Sequence, residues 1–384
     1  MSHLAASRDI LADLIRFPTV STDSNLAMID YLADRMEQAG AQVTIYKDET
    51  GAKANLYATI GPDCAGGILL AGHTDVVPVT DQDWTADPFA MVERNGRLFG
   101  RGTCDMKGFI AATVALAPYY AQHAKTRPVH FAFTYDEETG CLGATSLVRH
   151  LVERDDCPTL AIIGEPTEMR MIEGHKGCFE YTTHFCGREG HGSLPDLGVN
   201  AVEYAVRYVA RLLDLRQGLK DRAPTRSRFS PPYTTINVGG LHGGVAHNVI
   251  PGKASVEWEM RPVQNGDADY VKSDLRAYCA DVLLPQMQAI WSDASITTEV
   301  IAEVEGLEPM DDNAARDLVA ELTGANGTDV VSFGTEGGIF QSLGMSVLVC
   351  GPGSIEQAHK PDEYLEMDQM AQCVTMLERL AAKL

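Results

Sequence analysis

The chain has 384 residues, of which 45% are hydrophobic and 22% are charged, a composition typical of a globular protein with room for two domains. Its 53 acidic and 31 basic residues give a formal net charge of −22, which argues against a nucleic acid or an anionic membrane surface as a partner. The sequence lacks an apolar run of roughly 18 residues or more, so we expect no membrane-spanning helix.

The cysteines and the N-terminal stretch predict a cytoplasmic protein. The nine cysteines show no CxxC spacing and their number is odd, which favours reduced thiols over a disulfide framework. The stretch MSHLAASRDILADLIRF carries charges through its apolar stripe and therefore does not look like a signal peptide.

The first part of the chain predicts alternating strands and helices. Apolar residues from Leu26 to Met36 recur at helical spacing and predict a helix that ends at Gly40. The next predicted elements are the strands 41–46, 55–60 and 67–71, the helix FIAATVALAPYY after Gly108, the strand PVHFAFTY, the helix ATSLVRHLV and the strand TLAIIG. Apolar strands that alternate with helices predict an α/β sheet covered on both faces.

The pattern changes near Gly177. An alternating strand, GCFEYTTHF, is followed by the helix NAVEYAVRYVARLLDL, the strands YTTINVGG and KASVEWEMR, and a helix from about Asp267 to Gln288. This β-α-β-β-α order predicts a small ferredoxin-like domain, with ITTEVIAEV either closing it or leading back to the first domain. The alternation then resumes with the strand MSVLVCG and a last helix from Asp368. We therefore predict a discontinuous domain, 1–176 and 293–384, with a second domain, 177–292, inserted into it.

Acidic residues and histidines follow the predicted strands of the first domain. They are His73 and Asp75 after GILLAG, Asp105 in GRGTCDMKG, Glu137 and Glu138 in DEETG, Glu165 in GEPT, and His359 after SVLVCGPGSIEQA. Ligands of an open α/β sheet bind beyond the carboxyl ends of its strands. Any one of these residues alone is more typical of a structural role, but imidazoles and carboxylates together favour zinc, cobalt or manganese over calcium.

Five motifs resemble those of the M20 family of di-zinc aminoacylases, deacylases and peptidases, occur in that family's order and span most of the chain: GHTDVVP, GRGTCDMKG, DEETG, GEPT and GPGSIEQAHKPDEY. The resemblance implies an α/β domain whose mixed sheet binds zinc, with an inserted ferredoxin-like domain that serves as lid and dimerises. It further implies two divalent metal ions, zinc or cobalt, a small N-acyl amino acid as substrate, and a homodimer.

The resemblance also implies a role for each site residue in the first domain. His73 and Glu165 would bind the first ion, Glu138 and His359 the second, and Asp105 would bridge both. The ring of His73 would be held by Asp75, because a carboxylate on the second nitrogen fixes the tautomer of a metal-bound histidine.

Two further residues take chemical roles by resemblance. Glu137 would be the general base, and His191 in GREGHGSLPDLGVN would donate to the developing oxyanion from the lid of the partner subunit. The alternative for His191 is a structural role in a glycine-rich loop.

The residues that would bind substrate rest on weaker motifs. Arg261 in EWEMRP resembles the lid arginine that holds a substrate carboxylate, although a salt bridge at a strand end is the alternative, and Asn248 in HNVIP resembles a lid asparagine near the substrate. Within the family, TEGG, HGGVAHNVIP, GPGSIEQAHKPDEY and the extended motif GRGTCDMKGFIAA most resemble members that deacetylate N-acetylornithine. Glu336 is a candidate partner for the cationic side chain of that substrate, and a helix N-cap role is equally compatible.

Other functions stay open at this point. Desuccinylation of N-succinyl-diaminopimelate, or a broader aminoacylase or dipeptidase activity, would require a different pocket around Glu336, since a second substrate carboxylate needs a cation. A non-catalytic binding protein with the same fold would have lost a ligand or the base, and this chain retains all of them.

Overall fold

The structure, a computed structural model, describes residues 2–154 and 156–384. Its helices are α1 (His3–Ile15), α2 (Leu26–Gln38), α3 (Gly108–His123), α4 (Leu142–Leu151), α5 (Ala201–Asp221), α6 (Asp267–Tyr278), α7 (Leu284–Ile290), α8 (Ala314–Thr323), α9 (Gly337–Gln341) and α10 (Met367–Leu380). Its strands are β1 (Gln42–Lys47), β2 (Ala54–Ile60), β3 (Ile68–His73), β4 (Val92–Arg94), β5 (Arg97–Phe99), β6 (Val129–Thr134), β7 (Leu160–Pro166), β8 (Met171–His175), β9 (Cys178–Cys186), β10 (Gly190–His191), β11 (Thr235–Gly243), β12 (Val249–Ile250), β13 (Lys253–Arg261), β14 (Ser295–Val304), β15 (Thr328–Val331), β16 (Ser346–Gly351) and β17 (Tyr364–Glu366).

These described residues form two compact units. The first consists of residues 2–154, 156–174, 309–330 and 335–384, and the second of residues 175–308 and 331–334. The second boundary lies at 308 rather than at the predicted 293, because β14 pairs along its length with β9 of the inserted unit.

The first unit is built on a mixed eight-stranded sheet of the order β1-β2-β6-β3-β7-β16-β8-β15. Its central strands β6, β3, β7 and β16 run parallel, whereas β1 pairs antiparallel with β2, β2 with β6, and β8 with β16. Every residue of β3, β6 and β7 is buried, so both faces of the sheet are covered. The mixed α/β fold predicted from the sequence is confirmed.

The apolar side chains of the helices explain this packing. On one face, a single core cluster joins Ile68 and Leu70 of β3 to Leu14 of α1, Phe109 of α3 and Leu377 of α10. The approach of α3 to the sheet is so close that a Cβ on Gly164 of β7 would lie 1.9 Å from the ring of Phe109. A glycine at 164 therefore sets how near the strand carrying Glu165 comes to the helix.

A small antiparallel sheet, β17-β5-β4, joins two distant parts of the first unit. Tyr364 of β17 pairs with Phe99 of β5, and the amide of Gly100 donates to the carbonyl of Glu363 at 3.0 Å. This pairing places the segment that follows β5, which contains Asp105, beside the segment that precedes β17, which contains His359.

The second unit has the order β9-α5-β11-β13-α6-β14, and its antiparallel sheet has the strand order β11-β13-β9-β14. This is the ferredoxin-like arrangement, and β14 is the strand that closes it. Its core includes Tyr181 and Trp258, whose rings stack with their centroids 4.6 Å apart. Among the described residues, no helix combines the length and apolarity that a membrane crossing requires.

Candidate metal centre

Three parallel strands bring the predicted site residues to one edge of the large sheet. β3 ends at His73, β7 carries Glu165 near its end, and the loop after β6 carries Glu137 and Glu138. Because β3 lies between β6 and β7 and runs parallel to both, their carboxyl ends meet at the same edge. The local sequence explains the geometry, since each strand is a short, mostly apolar run with an acid or a histidine near its carboxyl end or in the loop that follows.

The ring of His73 is buried between two acidic side chains on one side and the main chain of Asp75 on the other. Its Nε2 lies 3.0 Å from Oδ1 of Asp105 and 3.9 Å from Oε1 of Glu165. Its Nδ1 lies 2.9 Å from the main-chain oxygen of Asp75 and 3.5 Å from the carboxylate of the same residue. The main-chain oxygen is thus the nearer acceptor for an Nδ1 proton, and Nε2 faces Asp105 and Glu165, where it donates to Asp105 when it is protonated and can bind a metal ion when it is not.

The carboxylate of Asp75 organises the neighbouring loop. It accepts a hydrogen bond from Oγ of Ser21 at 2.7 Å and from the main-chain amides of Glu137 and Glu138 at 3.1 and 3.3 Å. Burial by itself would raise the pKa of Asp75, but its hydrogen bond and charge interaction with His73, together with the Ser21 hydroxyl, lower it. An ionised Asp75 therefore fixes both the histidine and the segment that carries the predicted base.

The two oxygens of Asp105 face different histidines. Oδ1 lies 3.0 Å from Nε2 of His73, and Oδ2 lies 3.3 Å from Nε2 of His359. Burial of Asp105 opposes its ionisation, but hydrogen bonds with His359 and His73 outweigh that effect and lower its pKa. This division of the two oxygens is the geometry that a bridging carboxylate requires.

His359 completes the second half of the centre. Its Nε2 lies 3.1 Å from the carboxylate of Glu138, and its side chain is half exposed. Hydrogen bonds with Asp105 and Glu138 raise the pKa of His359 to about 10 despite partial burial. The acids at this place therefore favour a positive charge, which a protonated imidazole or a bound cation can supply.

The remaining acids are destabilised as anions in the metal-free protein. Burial raises the pKa of Glu137 and of Glu165 well above the usual range, and the nearby carboxylates of Asp105 and Glu138 raise both further, although His73 opposes them. Oε1 of Glu165 is buried without a hydrogen-bond partner among the described residues. A cation that bound this oxygen would satisfy it and relieve the repulsion between the carboxylates.

The donor atoms fit divalent metal ions. Ligand atoms of His73, Asp105 and Glu138 all lie within 4.8 Å of one another, and Glu165 and His359 lie on either side of them. Neutral imidazole and carboxylate together are the ligand types that zinc, cobalt and manganese accept.

Two residues that shape the centre escaped the sequence analysis. Ser21 holds Asp75, and no local motif distinguishes it. Glu363, which is completely buried, accepts the amides of Gly102, Cys104 and Asp105 at 3.0, 3.0 and 3.3 Å. Its position within GPGSIEQAHKPDEY was the available signal, but the sequence does not show that its carboxylate shapes the segment carrying Asp105.

Glu336 lies in the first unit and is completely buried. Thr134 donates a hydrogen bond to its Oε1, and its Oε2 has no hydrogen-bond partner among the described residues. Burial raises the pKa of Glu336 to about 7. Its side chain does not cap α9; instead the hydroxyl of Thr335 accepts the amide of Gly337 at 3.0 Å.

His191 and Asn248 lie together in the second unit. β10 pairs with β12 through His191 and Val249, and the amide of Gly192 donates to the carbonyl of Asn248 at 2.7 Å. The amide of Ser193 donates to Nδ1 of His191 at 3.2 Å, so in the neutral ring the proton lies on Nε2. The exposed Nε2–H is therefore available as a donor.

Arg261, the last residue of β13, is engaged within the second unit. Its Nε and its terminal NH2 nitrogen lie 3.0 and 2.8 Å from Oε2 of Glu259, and that NH2 nitrogen lies 3.7 Å from Glu180. The structure thus contains the strand-end ion pair that the sequence left open as the alternative for this arginine.

A family model and a curated relative match most of this chain. The model of peptidase family M20/M25/M40 matches residues 69–383. A curated acetylornithine deacetylase from Klebsiella pneumoniae (strain 342) is 37% identical over 365 residues, which cover 93% of this chain and 92% of the relative.

Solved structures of low sequence identity share the fold. An M20 family metallo-carboxypeptidase from Sulfolobus solfataricus aligns with a TM-score of 0.73 at 16% identity, over 98% of both chains. A dinuclear metal-binding peptidase of the M20 family from Bacillus subtilis aligns with a TM-score of 0.69 at 15% identity, over 99% of this chain and 98% of the other.

The position of Asp105 between the two histidines gives the first prediction. If Asp105 bridges two ions, Asp105→Ala should lose both, because the shared ligand contributes to each site. Metal content after dialysis in dilute zinc, measured by atomic emission, checks this. The exposed Asp23 offers a matched Asp→Ala control that should keep the wild-type content. Loss of a single ion from Asp105→Ala would show that this carboxylate does not bridge.

Proposed function

This chain belongs to the peptidase family M20/M25/M40, a family of metal-dependent hydrolases, and we propose that it removes the acetyl group from N2-acetyl-L-ornithine. The products would be acetate and L-ornithine, a reaction that serves arginine biosynthesis. The observation that carries this choice is the likeness, over nearly the whole chain, to relatives described as acetylornithine deacetylases.

The donor set supports two divalent ions, for which we propose zinc, with cobalt as the alternative. His73, Asp105 and Glu165 would hold one ion, and Asp105, Glu138 and His359 the other. When bound, such a pair would lower the pKa of the attacking water and polarise the amide carbonyl.

Glu137 is the proposed general base. Its main-chain amide is fixed by Asp75, so its carboxyl group is presented from a held loop rather than a mobile one. It takes one proton from the attacking water and returns it to the amide nitrogen as the carbon–nitrogen bond breaks. Acetate then leaves with the oxygen of the water, and the amino group of ornithine carries the transferred proton.

The second unit would supply the donor for the oxyanion. We propose a homodimer in which His191 of the partner subunit donates its Nε2–H to the oxygen that gains charge. The tautomer fixed by Ser193 supports this role, because it keeps the proton on the exposed nitrogen.

Three residues are proposed to recognise the substrate. Arg261 would bind the α-carboxylate in place of Glu259, Asn248 would contact the substrate beside His191, and Glu336 would attract the side-chain ammonium group. The free oxygen of Glu336 supports a cation contact, although its complete burial means that the side chain must turn outward to make one.

The proposed reaction is tested by the products released from competing substrates. Purified protein should release acetate from N2-acetyl-L-ornithine with a higher kcat/KM than it releases succinate from N-succinyl-diaminopimelate or amino acids from dipeptides. A chelator should abolish the activity, and added zinc should restore it. A preference for the succinyl substrate or for dipeptides would assign the chain to a different activity within the same family.

The role of Glu137 predicts a specific kinetic defect. Glu137→Gln should keep both metals and a near-normal KM, because the change is nearly isosteric, while kcat should fall by at least about 100-fold. Steady-state kinetics with parallel metal analysis measures both effects. Glu37→Gln on the exposed side of α2 is the matched control and should behave as wild type. Near-normal turnover in Glu137→Gln would remove this residue from the base role.

The dimer proposal predicts complementation between inactive chains. Equal amounts of His191→Ala and Glu137→Ala chains, mixed under conditions that exchange subunits, should regain about a quarter of wild-type activity, because half the dimers are mixed and half their sites are whole. Each variant alone, put through the same exchange procedure, is the control and should stay inactive. If mixing restores nothing although exchange is demonstrated, His191 acts within its own chain or not at all.

A further inference from the structure

His359 is the least firmly held of the proposed metal ligands. It lies between β16 and β17, its side chain is half exposed, and its backbone has a positive φ of 63°. By contrast, His73 and Glu165 lie within strands, and their side chains and that of Asp105 are buried. The position of the His359 imidazole therefore depends on what holds its loop.

Gln82 makes the contact that holds His359 through its main chain. Its Nε2 donates to the carbonyl oxygen of His359 at 2.9 Å. Its Oε1 accepts one hydrogen bond from Arg101 at 2.6 Å and another from the indole of Trp84 at 3.1 Å. Because both of these partners are donors, the amide oxygen must face them, and the NH2 group must face His359.

Arg101 connects this glutamine to the segment that carries Asp105. Its side chain is almost completely buried, donates to Glu363 at 2.7 Å and lies under the ring of Trp84, 5.0 Å from a ring centroid. Glu363 in turn accepts the amide of Asp105. A continuous polar path therefore runs from the bridging Asp105 through Glu363, Arg101 and Gln82 to the backbone of His359.

A second contact joins the same two segments. The amide and the hydroxyl of Thr85 both donate to Oδ1 of Asp362, at 3.0 and 2.9 Å. The segment 82–85 thus holds the segment 359–362 at two points, one on each side of Lys360, which itself offers its carbonyl to Arg101 at 3.3 Å.

We infer that Gln82, supported by Arg101 and Thr85, is a positioning residue for His359 and sets the affinity of the ion shared by His359, Glu138 and Asp105. The inference rests on the two-ion centre of the proposed function. Loss of the hydrogen bond from Gln82 frees the ligand loop without altering any donor atom. The other ion, held by His73, Asp105 and Glu165, has no ligand in this loop and keeps its affinity.

The test is a metal titration of the metal-free full-length protein and two variants. Gln82→Met keeps the side-chain length and removes all three contacts, while Gln82→Glu keeps the acceptor for Arg101 and Trp84 and removes only the donor to His359. Zinc is titrated in competition with a chromophoric chelator, which gives the stoichiometry and both dissociation constants. Gln38→Met at the exposed end of α2 is the matched control and keeps wild-type constants.

In both Gln82 variants the dissociation constant of the more weakly bound ion, the one that His359 helps to hold, should rise about 10- to 100-fold, as is typical when a group that orients a ligand is lost. The dissociation constant of the more tightly bound ion should stay unchanged. Activity at limiting zinc should fall and return with excess zinc at an unchanged KM, which a general loss of stability would not produce. If Gln82→Met does not fold, Gln82→Glu alone decides.

Three other outcomes are informative. Unchanged constants in both variants, in a wild-type protein that binds two ions, would overturn this inference and leave the proposed function intact. Equal weakening of both ions would overturn it as well, because the defect would then be global. A wild-type protein that binds one ion at saturation would contradict the two-ion centre itself, before the variants are considered.

Discussion

Buried negative charge at the carboxyl edge of β3, β6 and β7 is the constraint on which the rest of this site depends. Asp105, Glu137 and Glu165 lie close together there, and burial and the ionised carboxylate of Asp105 both make Glu137 and Glu165 more costly to ionise. Two histidines offset part of that charge, and Glu165 still retains a buried oxygen without a partner among the described residues. Without a cation, the repulsion between these carboxylates raises the free energy of the folded protein. A bound cation would be ligated by the same groups, so metal binding is coupled to the stability of the site.

The acids that do not face the centre organise the chain around it. A loop at a sheet edge leaves main-chain amides without strand partners, and a buried carboxylate can accept several of them at once. Asp75 does this for the segment 137–138, and Glu363 does it for the segment 102–105. The loops that carry the proposed base and the proposed bridging ligand are therefore fixed by side chains from other parts of the first unit, which is how loop residues acquire the precision that catalysis needs.

The parts predicted from the sequence are those governed by local patterns. Continuous apolar runs gave the central strands, and the rule that ligands bind at carboxyl ends of strands placed His73 and Glu165 at one edge. β14 was ambiguous because most of its residues are exposed, and only its pairing with β9 assigns it to the second unit. Contacts such as that of Glu363 with Arg101 join residues 262 positions apart, and no local spacing encodes such a pairing.

The central claim is that Asp105 bridges two metal ions between His73 and His359. A crystal structure of the zinc-loaded protein, with anomalous difference maps collected at the zinc edge, tests it directly. If Asp105 bridges, the maps should show two peaks about 3.5–4 Å apart, one within bonding distance of each Asp105 oxygen, with His73 on the first ion and His359 on the second. A single peak at full zinc occupancy, or two peaks without Asp105 between them, would contradict it.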